Sequence, residues 1–211
     1  GLHGSLLSKV ESKYDIQMAE GAGVRISAGS DIDEKLAKSG LRFETMISKN
    51  SITELRTLIE NGTYEDLTFG TLIVPKDYLI GGGFFTHEWL AKNYGADGYL
   101  DIESSATAKD EISFAKEYDE YYSFFGSIIN LKTANYNREF VGVGYIALWK
   151  DGVATYFYAE YDSTNPRSPS FVANAAINDR SADKVEGEYD NYISENNNYS
   201  PYTQAQLTFL E

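Results

Sequence analysis

The residues best placed to do chemistry are aromatic and lie on two runs that flank Lys150-Asp-Gly152. Asp-Gly between two alternating runs predicts a β-hairpin with a two-residue turn, in which Lys150 pairs with Val153. This register places five residues on one face of the hairpin: Tyr145, Trp149, Tyr156, Tyr158 and Glu160. Tyrosine and tryptophan combine an apolar ring with a polar tip, so such a face can stack on sugar rings and bind hydroxyls.

A second interpretation of this aromatic face stays open. The opposite hairpin face is aliphatic, with Ile146 and Leu148 among its members, and is expected to be core. The tyrosines could equally pack under helices, with each hydroxyl satisfied by the backbone. Burial of Tyr145, Trp149 and Tyr158 distinguishes a binding face from a structural one.

The sequence lacks the common catalytic motifs of hydrolases. The chain has 2 histidines, His3 and His87, and lacks both an H-E-x-x-H motif and a G-x-S-x-G elbow. We therefore predict no catalytic residues and no metal ligands. The alternative is a glycan hydrolase that uses a carboxylate pair, for which Glu160 and Asp162 lie on one strand face beside tyrosines.

No cofactor is predicted either. The spacing Gly142-x-Gly144-x-x-Ala147 matches a dinucleotide fingerprint, but it falls inside a predicted hairpin strand. Backbone amides in a strand are committed to the ladder and cannot hold a pyrophosphate. The acidic stretches Asp31–Glu34 and Glu186–Asp190 offer oxygen ligands but lack the calcium-loop pattern, and calcium binding stays undecided.

Charge narrows the class of partner. The formal net charge is −14, which repels phosphate backbones, so nucleic acid is not an expected partner. No stretch approaches the roughly 20 apolar residues of a membrane span, so insertion is not expected. The remaining candidate partners are a glycan, a host or cell-wall ligand, or neighbouring domains of a larger chain.

The elements that must position these residues are mainly strands. Besides the hairpin, alternating or apolar runs predict strands at Gly23–Ser27, Leu41–Ile47, Phe69–Val74, Tyr99–Glu103 and Phe124–Leu131. Capping signals predict helices that begin at Ser51, Thr86 and Pro169, with a loop at Asp31–Lys35. We therefore expect an α+β fold of mainly antiparallel, sandwich-like sheet with three or four short helices. Residues 1–15 are expected to form an N-terminal segment or linker, and residues 16–211 a single β-rich domain.

Several strings of this sequence resemble those of an uncharacterised family of domains from Gram-positive, often gut-dwelling, bacteria. They are Phe69-Gly-Thr-Leu-Ile-Val-Pro75, Phe124-Phe-Gly-Ser-Ile-Ile-Asn-Leu131, Asn135-Tyr-Asn-Arg-Glu-Phe140 with Gly144-Tyr-Ile146, and Tyr158-Ala-Glu-Tyr-Asp162 with Asn165-Pro-Arg-Ser168. The resemblance covers about residues 22–205. It implies a secreted or cell-surface location and an accessory role, and it carries no catalytic residues.

Overall fold

The fold is α+β and mainly antiparallel β, as predicted, in a computed structural model that describes residues 13–79, 85–160, 166–181 and 204–211. The nine strands within these ranges are β1 (Ile16–Met18), β2 (Gly23–Arg25), β3 (Gly40–Ser48), β4 (Asp66–Pro75), β5 (Leu100–Glu103), β6 (Lys116–Glu117), β7 (Tyr121–Ile129), β8 (Phe140–Lys150) and β9 (Val153–Tyr158). The described α-helices are α1 (Ile32–Lys38), α2 (Lys49–Glu60), α3 (His87–Tyr94), α4 (Pro169–Ser181) and α5 (Gln204–Leu210). Short 3₁₀ turns span Lys76–Leu79 and Thr133–Asn135.

Two sheets organise the strands. The first has the order β1-β3-β7-β6, with β2 paired to β3, and the second has the order β5-β4-β8-β9. Inward-facing side chains of both sheets share one core, which includes Ile47 and Phe124 from the first sheet and Phe69 and Ile146 from the second. Alternation explains this core, because every second residue of β3 is buried while its neighbours are partly exposed.

The second sheet is covered on both faces, which explains why β8 is buried along most of its length. One face meets the shared core, and the other meets a second cluster that contains Phe85 and Leu90. Thr86 caps α3 as predicted, since its side chain accepts a hydrogen bond from the Trp89 amide. Helix α3 is therefore fixed over the face that carries the hairpin tyrosines.

The chain divides into two compact units. The larger comprises Gly1–Gly23, Arg42–Ile128 and Glu139–Pro166, and the smaller comprises Val24–Leu41, Ile129–Arg138 and Arg167–Glu211. The hairpin belongs to the larger unit. The expected N-terminal segment, residues 1–15, lies almost wholly outside the described residues, and a single domain over residues 16–211 stays a prediction.

Two local predictions were wrong for a capping reason. The expected loop at Asp31–Lys35 is mostly helix, because the Asp31 side chain accepts from the Glu34 amide and caps α1. Helix α2 begins at Lys49 rather than Ser51, because Ser48 is its N-cap. In both cases the N-cap residue has an extended backbone and its side chain accepts from the amide three residues further on.

The dinucleotide fingerprint proves to be part of the sheet. Gly142 and Gly144 lie within β8 and pair with Ile73 and Thr71 of β4. The Gly144 carbonyl also accepts a hydrogen bond from the Ala159 amide. The backbone at these glycines forms hydrogen bonds within the sheet, as predicted.

Candidate functional site: the aromatic face of the second sheet

The hairpin has the predicted register. Tyr145 pairs with Tyr158, Trp149 with Ala154, and Lys150 with Val153. Asp151 and Gly152 have φ values of 51° and 77°, as a two-residue hairpin turn with both residues in the left-handed region requires. The predicted aromatic residues of β8 and β9 therefore lie on one face of the second sheet.

Burial divides this aromatic face into an inner and an outer part. Tyr145 is buried, with 6% of its surface exposed, and packs in the cluster beneath α3. Trp149, Tyr156 and Tyr158 are half-buried, whereas Glu160 is exposed. The structure thus places the inner part in the core and leaves the outer part in contact with solvent.

Tyr145 extends across the sheet to a carboxylate on the opposite edge. It pairs with Gly70 of β4, and its ring occupies the space where a side chain at Gly70 would lie. The Tyr145 hydroxyl donates to Oδ1 of Asp101 on β5 at 2.6 Å. Glycine at position 70 is therefore needed for this contact, because any Cβ there would overlap the ring.

His87, the first residue of α3, completes the hydrogen-bonded group. Its backbone amide donates to the Tyr158 hydroxyl at 3.0 Å, and its Nδ1 lies 2.6 Å from the same hydroxyl. Its Nε2 lies 2.8 Å from Oδ2 of Asp101. In the neutral tautomer that carries its proton on Nε2, Nε2 donates to Asp101 and Nδ1 accepts from the Tyr158 hydroxyl. Every polar atom of the group then has a partner.

Tyrosine rings surround the imidazole of His87. The Tyr156 ring is stacked on it, with centroids 3.8 Å apart and planes at 14°. Tyr145 meets it edge-on at 4.7 Å, and Tyr99 at 6.4 Å. Only 12% of the His87 side chain is exposed. One face of Tyr156 is therefore fixed against the histidine, which holds the ring in a single orientation.

The pKa values of the group follow from burial and hydrogen bonding. Burial, together with the nearby Asp101 carboxylate, raises the pKa of Tyr145 far above its usual value. Burial likewise raises the pKa of Tyr158. Burial alone would raise the pKa of Asp101, but the hydrogen bonds from His87 and Tyr145 outweigh it, and the pKa is lowered. At neutral pH Tyr145 and Tyr158 therefore keep their protons, while Asp101 is ionised.

Carboxylates border the outer part of the aromatic face. Asp101 and Glu103 alternate on β5 and share the face of Tyr145, and 37% of the Asp101 side chain is exposed. On the hairpin side, Trp149 donates from Nε1 to the Thr68 hydroxyl at 2.9 Å, which fixes the indole. The arrangement offers fixed aromatic rings beside hydrogen-bond acceptors.

Sequence reasoning missed His87 and the β5 residues as members of this group. Tyr99, Asp101 and Glu103 alternate along the predicted strand, a spacing that puts them on one face, but nothing in the sequence indicated that β5 would lie in the hairpin's sheet. Asp162, the second residue of the suggested carboxylate pair, lies outside the described residues. So does Glu186–Asp190, while Asp31 serves as a helix cap.

The described residues show neither a metal-binding cluster nor a helix suited to spanning a membrane. Residues 13–79, 85–160, 166–181 and 204–211 contain no group of three or more histidine, cysteine or acidic side chains placed to hold a metal ion. Among the helices that these ranges include, none combines the length and apolar character that crossing a bilayer requires.

Comparison of the chain with known protein families, with curated proteins and with solved structures finds no match.

Proposed function

We propose that the protein is a non-catalytic accessory domain of an exported bacterial surface protein, and that it binds a glycan on the outer part of its aromatic face. The observation that carries this proposal is the pair Trp149 and Tyr156, half-exposed and each held in one orientation by a neighbouring side chain. Fixed rings lose little conformational freedom when a ligand stacks on them, so binding energy is not spent on ordering them.

The chemistry of the surrounding residues favours a sugar over other ligands. Sugar rings present apolar C–H faces that stack on indole and phenol rings. Their hydroxyls donate hydrogen bonds, and the partly exposed carboxylate of Asp101 and the exposed Glu103 are acceptors. With a net charge of −14, the protein favours neutral or cationic glycans over polyanionic ones.

The exported, surface location rests on the sequence resemblance. The motif that begins at Phe69 lies in β4, and most of the motif that begins at Phe124 lies in β7, so these similar strings belong to the two sheets that form the sandwich. Because these strings form the framework of the fold, their resemblance to the family supports a domain of the same kind. They support the secreted or cell-surface setting without indicating which ligand is bound.

A glycan hydrolase is the less favoured alternative. Hydrolysis by a carboxylate pair requires one carboxylic acid whose pKa is raised, so that it can protonate the leaving group. The pKa of Asp101 is instead lowered, and two donors already occupy its oxygens. The contacts at Asp101 therefore favour an acceptor role over that of a general acid.

Tryptophan fluorescence tests the binding proposal, because the chain has only Trp89 and Trp149. In Trp89→Phe, Trp149 is the single reporter, and stacking of a sugar on it should shift or quench its emission. We would titrate this variant with soluble fragments of neutral cell-wall and host glycans selected on a glycan array. A saturable change is expected for at least one fragment.

Matched variants locate the site. Tyr156→Ala in the Trp89→Phe background should weaken the response at least tenfold, since it removes a stacking ring. Tyr118→Ala, which removes a tyrosine that is 41% exposed in the connection between β6 and β7, should leave it unchanged. Absence of binding to any array glycan, or equal weakening by both variants, contradicts the proposal. Release of sugar products that depends on Asp101 or Glu160 would favour the hydrolase instead.

A further inference from the structure

A cavity of about 320 Å³ lies within the smaller unit, separate in sequence from the aromatic face. Residues from β2, α1, the first turns of α4 and the end of α5 line it. Its apolar wall consists of Val24, Leu36, Leu41, Leu131, Phe209 and Leu210. Ligand cavities in proteins begin at about this volume and are mostly apolar with a few polar groups.

Part of the cavity wall is exposed to solvent. Leu36 on α1 is 51% exposed, and Tyr136 is 39% exposed. Both line the cavity. Exposed apolar side chains that converge on a concave surface are typical of a ligand site, whereas scattered ones carry no such meaning.

The polar part of the cavity wall includes one positively charged side chain, Arg25. Arg25 lines the cavity, and its guanidinium donates to the Lys38 carbonyl. Within the described residues, no carboxylate forms an ion pair with Arg25. A guanidinium has five donors, so most of them remain for a ligand. In a chain with 32 acidic and 18 basic residues, it is unexpected that none of the described carboxylates pairs with this cation.

A second cation reinforces this charge. The Lys35 ammonium lies 5.0 Å from the centre of the Phe209 ring, one of the lining residues. Glu211 is the acidic side chain of the lining and opposes these charges. Nearby Glu34 is already paired with Lys38 at 2.6 Å. The lining thus carries one cation, Arg25, and one acid, Glu211, with a second cation, Lys35, beside it, although the whole chain is strongly negative.

We propose that this cavity binds an amphipathic organic anion, a carboxylate with a short apolar tail. The tail contacts Leu36, Leu131 and Phe209, and the carboxylate accepts hydrogen bonds from Arg25. Charge-assisted, bidentate bonds between guanidinium and carboxylate give this recognition its strength and its orientation. The site is independent of the glycan proposal, because it uses other residues in another unit.

Calorimetric titration with three probes that share one tail tests the chemistry. Octanoate should bind, octanol should bind at least tenfold more weakly, and octylamine should not bind measurably. Added salt should weaken octanoate binding, because screening reduces the attraction of Arg25. Equal binding of octanoate and octanol, or no binding of octanoate, overturns the proposal.

Three variants locate the binding site. Arg25→Gln should weaken octanoate binding at least tenfold and leave octanol binding unchanged, whereas Arg25→Lys should retain part of the preference for octanoate. Ala173→Phe, on the α4 part of the lining, should fill the cavity and abolish binding of both probes. Lys92→Gln removes the same charge from an exposed position on α3 and should have no effect.

A thermal melt of each variant keeps the result interpretable, because Arg25 also bonds the Lys38 carbonyl. Loss of octanoate binding counts only in variants that melt cooperatively. If Arg25→Gln and Ala173→Phe both fold and still bind octanoate as the parent does, the cavity is not the site and the proposal is wrong.

Discussion

At the scale of single residues, Asp101 is where the hydrogen bonds of the candidate site converge. It accepts from Tyr145 at 2.6 Å and lies 2.8 Å from Nε2 of His87, so it joins β8, β5 and α3. A carboxylate with two donors of this kind is more strongly bonded than a neutral acceptor. Its partners Tyr145 and His87 contact the aromatic rings of the face, so Asp101 contributes to holding these rings in place.

Tyr145→Phe is predicted to destabilise the protein by about 1–3 kcal/mol, because it removes a buried donor to an ionised carboxylate. Urea denaturation followed by circular dichroism measures this loss. The control is Tyr121→Phe, which removes a hydrogen bond of similar length to Asp15 at an exposed position and should cost less than about 1 kcal/mol. Equal costs for the two variants would show that the inner network adds no stability of its own.

Alkaline pH is predicted to destabilise the folded state through Tyr145 and Tyr158. Their pKa values are raised above 10 by burial, while in the unfolded chain they titrate near 10. Above that pH the folded state retains protons that the unfolded state has lost, so stability is full below pH 10 and falls as the pH rises further. Each tyrosine contributes up to about 1.4 kcal/mol per pH unit.

The double variant Tyr145→Phe/Tyr158→Phe isolates this effect. Urea midpoints measured at pH 7, 9, 10 and 11 should fall less steeply above pH 10 in the variant than in the parent. Between pH 7 and 9 the two proteins should show the same slope, since neither tyrosine titrates there. Identical slopes above pH 10 would contradict the assignment.

At the scale of elements, the turn at Asp151-Gly152 determines the register of the hairpin, and the register determines which residues form the aromatic face. Asp151 and Gly152 both have positive φ, and a Cβ at Gly152 would meet no atom within 4 Å. The need for glycine is therefore conformational and not steric. Shifting the register by one residue would move every tyrosine of the hairpin to the other face of the sheet.

Gly152→Val is predicted to destabilise the protein by about 1–2 kcal/mol, the cost of a left-handed conformation in a residue with a branched side chain. Asp151→Asn, by contrast, should change stability by less than about 0.5 kcal/mol, because asparagine adopts this conformation readily. Thermal or urea melts of the pair distinguish the two. A Gly152→Val variant as stable as the parent would mean that the turn relaxes to another type.

Helix α4 shows where element-level reasoning stops. Pro169 begins it as predicted. The apolar residues Phe171, Val172, Ala175 and Ala176 could form one face by their spacing, but only Val172 and Ala176 are buried, while Phe171 is 57% exposed and Ala175 is exposed as well. The apolar residues cover a broad face, which is compatible with more than one orientation of the helix. Packing against other elements buries only the narrower stripe that contains Val172 and Ala176.

At the scale of the whole molecule, the core between the sheets supplies the stability that the site needs. Phe69 and Phe124 meet there, with ring centroids 5.5 Å apart, and neither is accessible to solvent. One belongs to each sheet, so the contact joins the two layers. Buried aromatic rings of this kind dominate core energetics.

Phe124→Ala is predicted to cost about 3–5 kcal/mol, because it removes a buried ring and leaves a cavity between the sheets. Phe171→Ala removes the same side chain from a position that is 57% exposed and should cost less than about 1 kcal/mol. Urea midpoints of both variants test this contrast. If Phe124→Ala is tolerated as well as Phe171→Ala, the sheets do not depend on this contact.

The sequence by itself determined the elements whose signals are local. Alternation and turn chemistry are sufficient to predict the hairpin, its register and the shared face of Tyr145, Trp149, Tyr156 and Tyr158, because a strand's period of two and an Asp-Gly turn leave one arrangement. The α+β class followed from the same short-range patterns. Capping signals likewise predicted the start of α3 at Thr86.

Only the tertiary structure decided which strands are neighbours and which helix covers the aromatic face. His87 and Asp101 are 14 residues apart, and Tyr145 lies 44 residues beyond Asp101, yet their side chains are bonded. Pairing of β4 with both β5 and β8 brings them together, and the small residue Gly70 lets Tyr145 reach across. Such long-range pairings depend on the packing of the whole chain, which no local pattern of residues encodes.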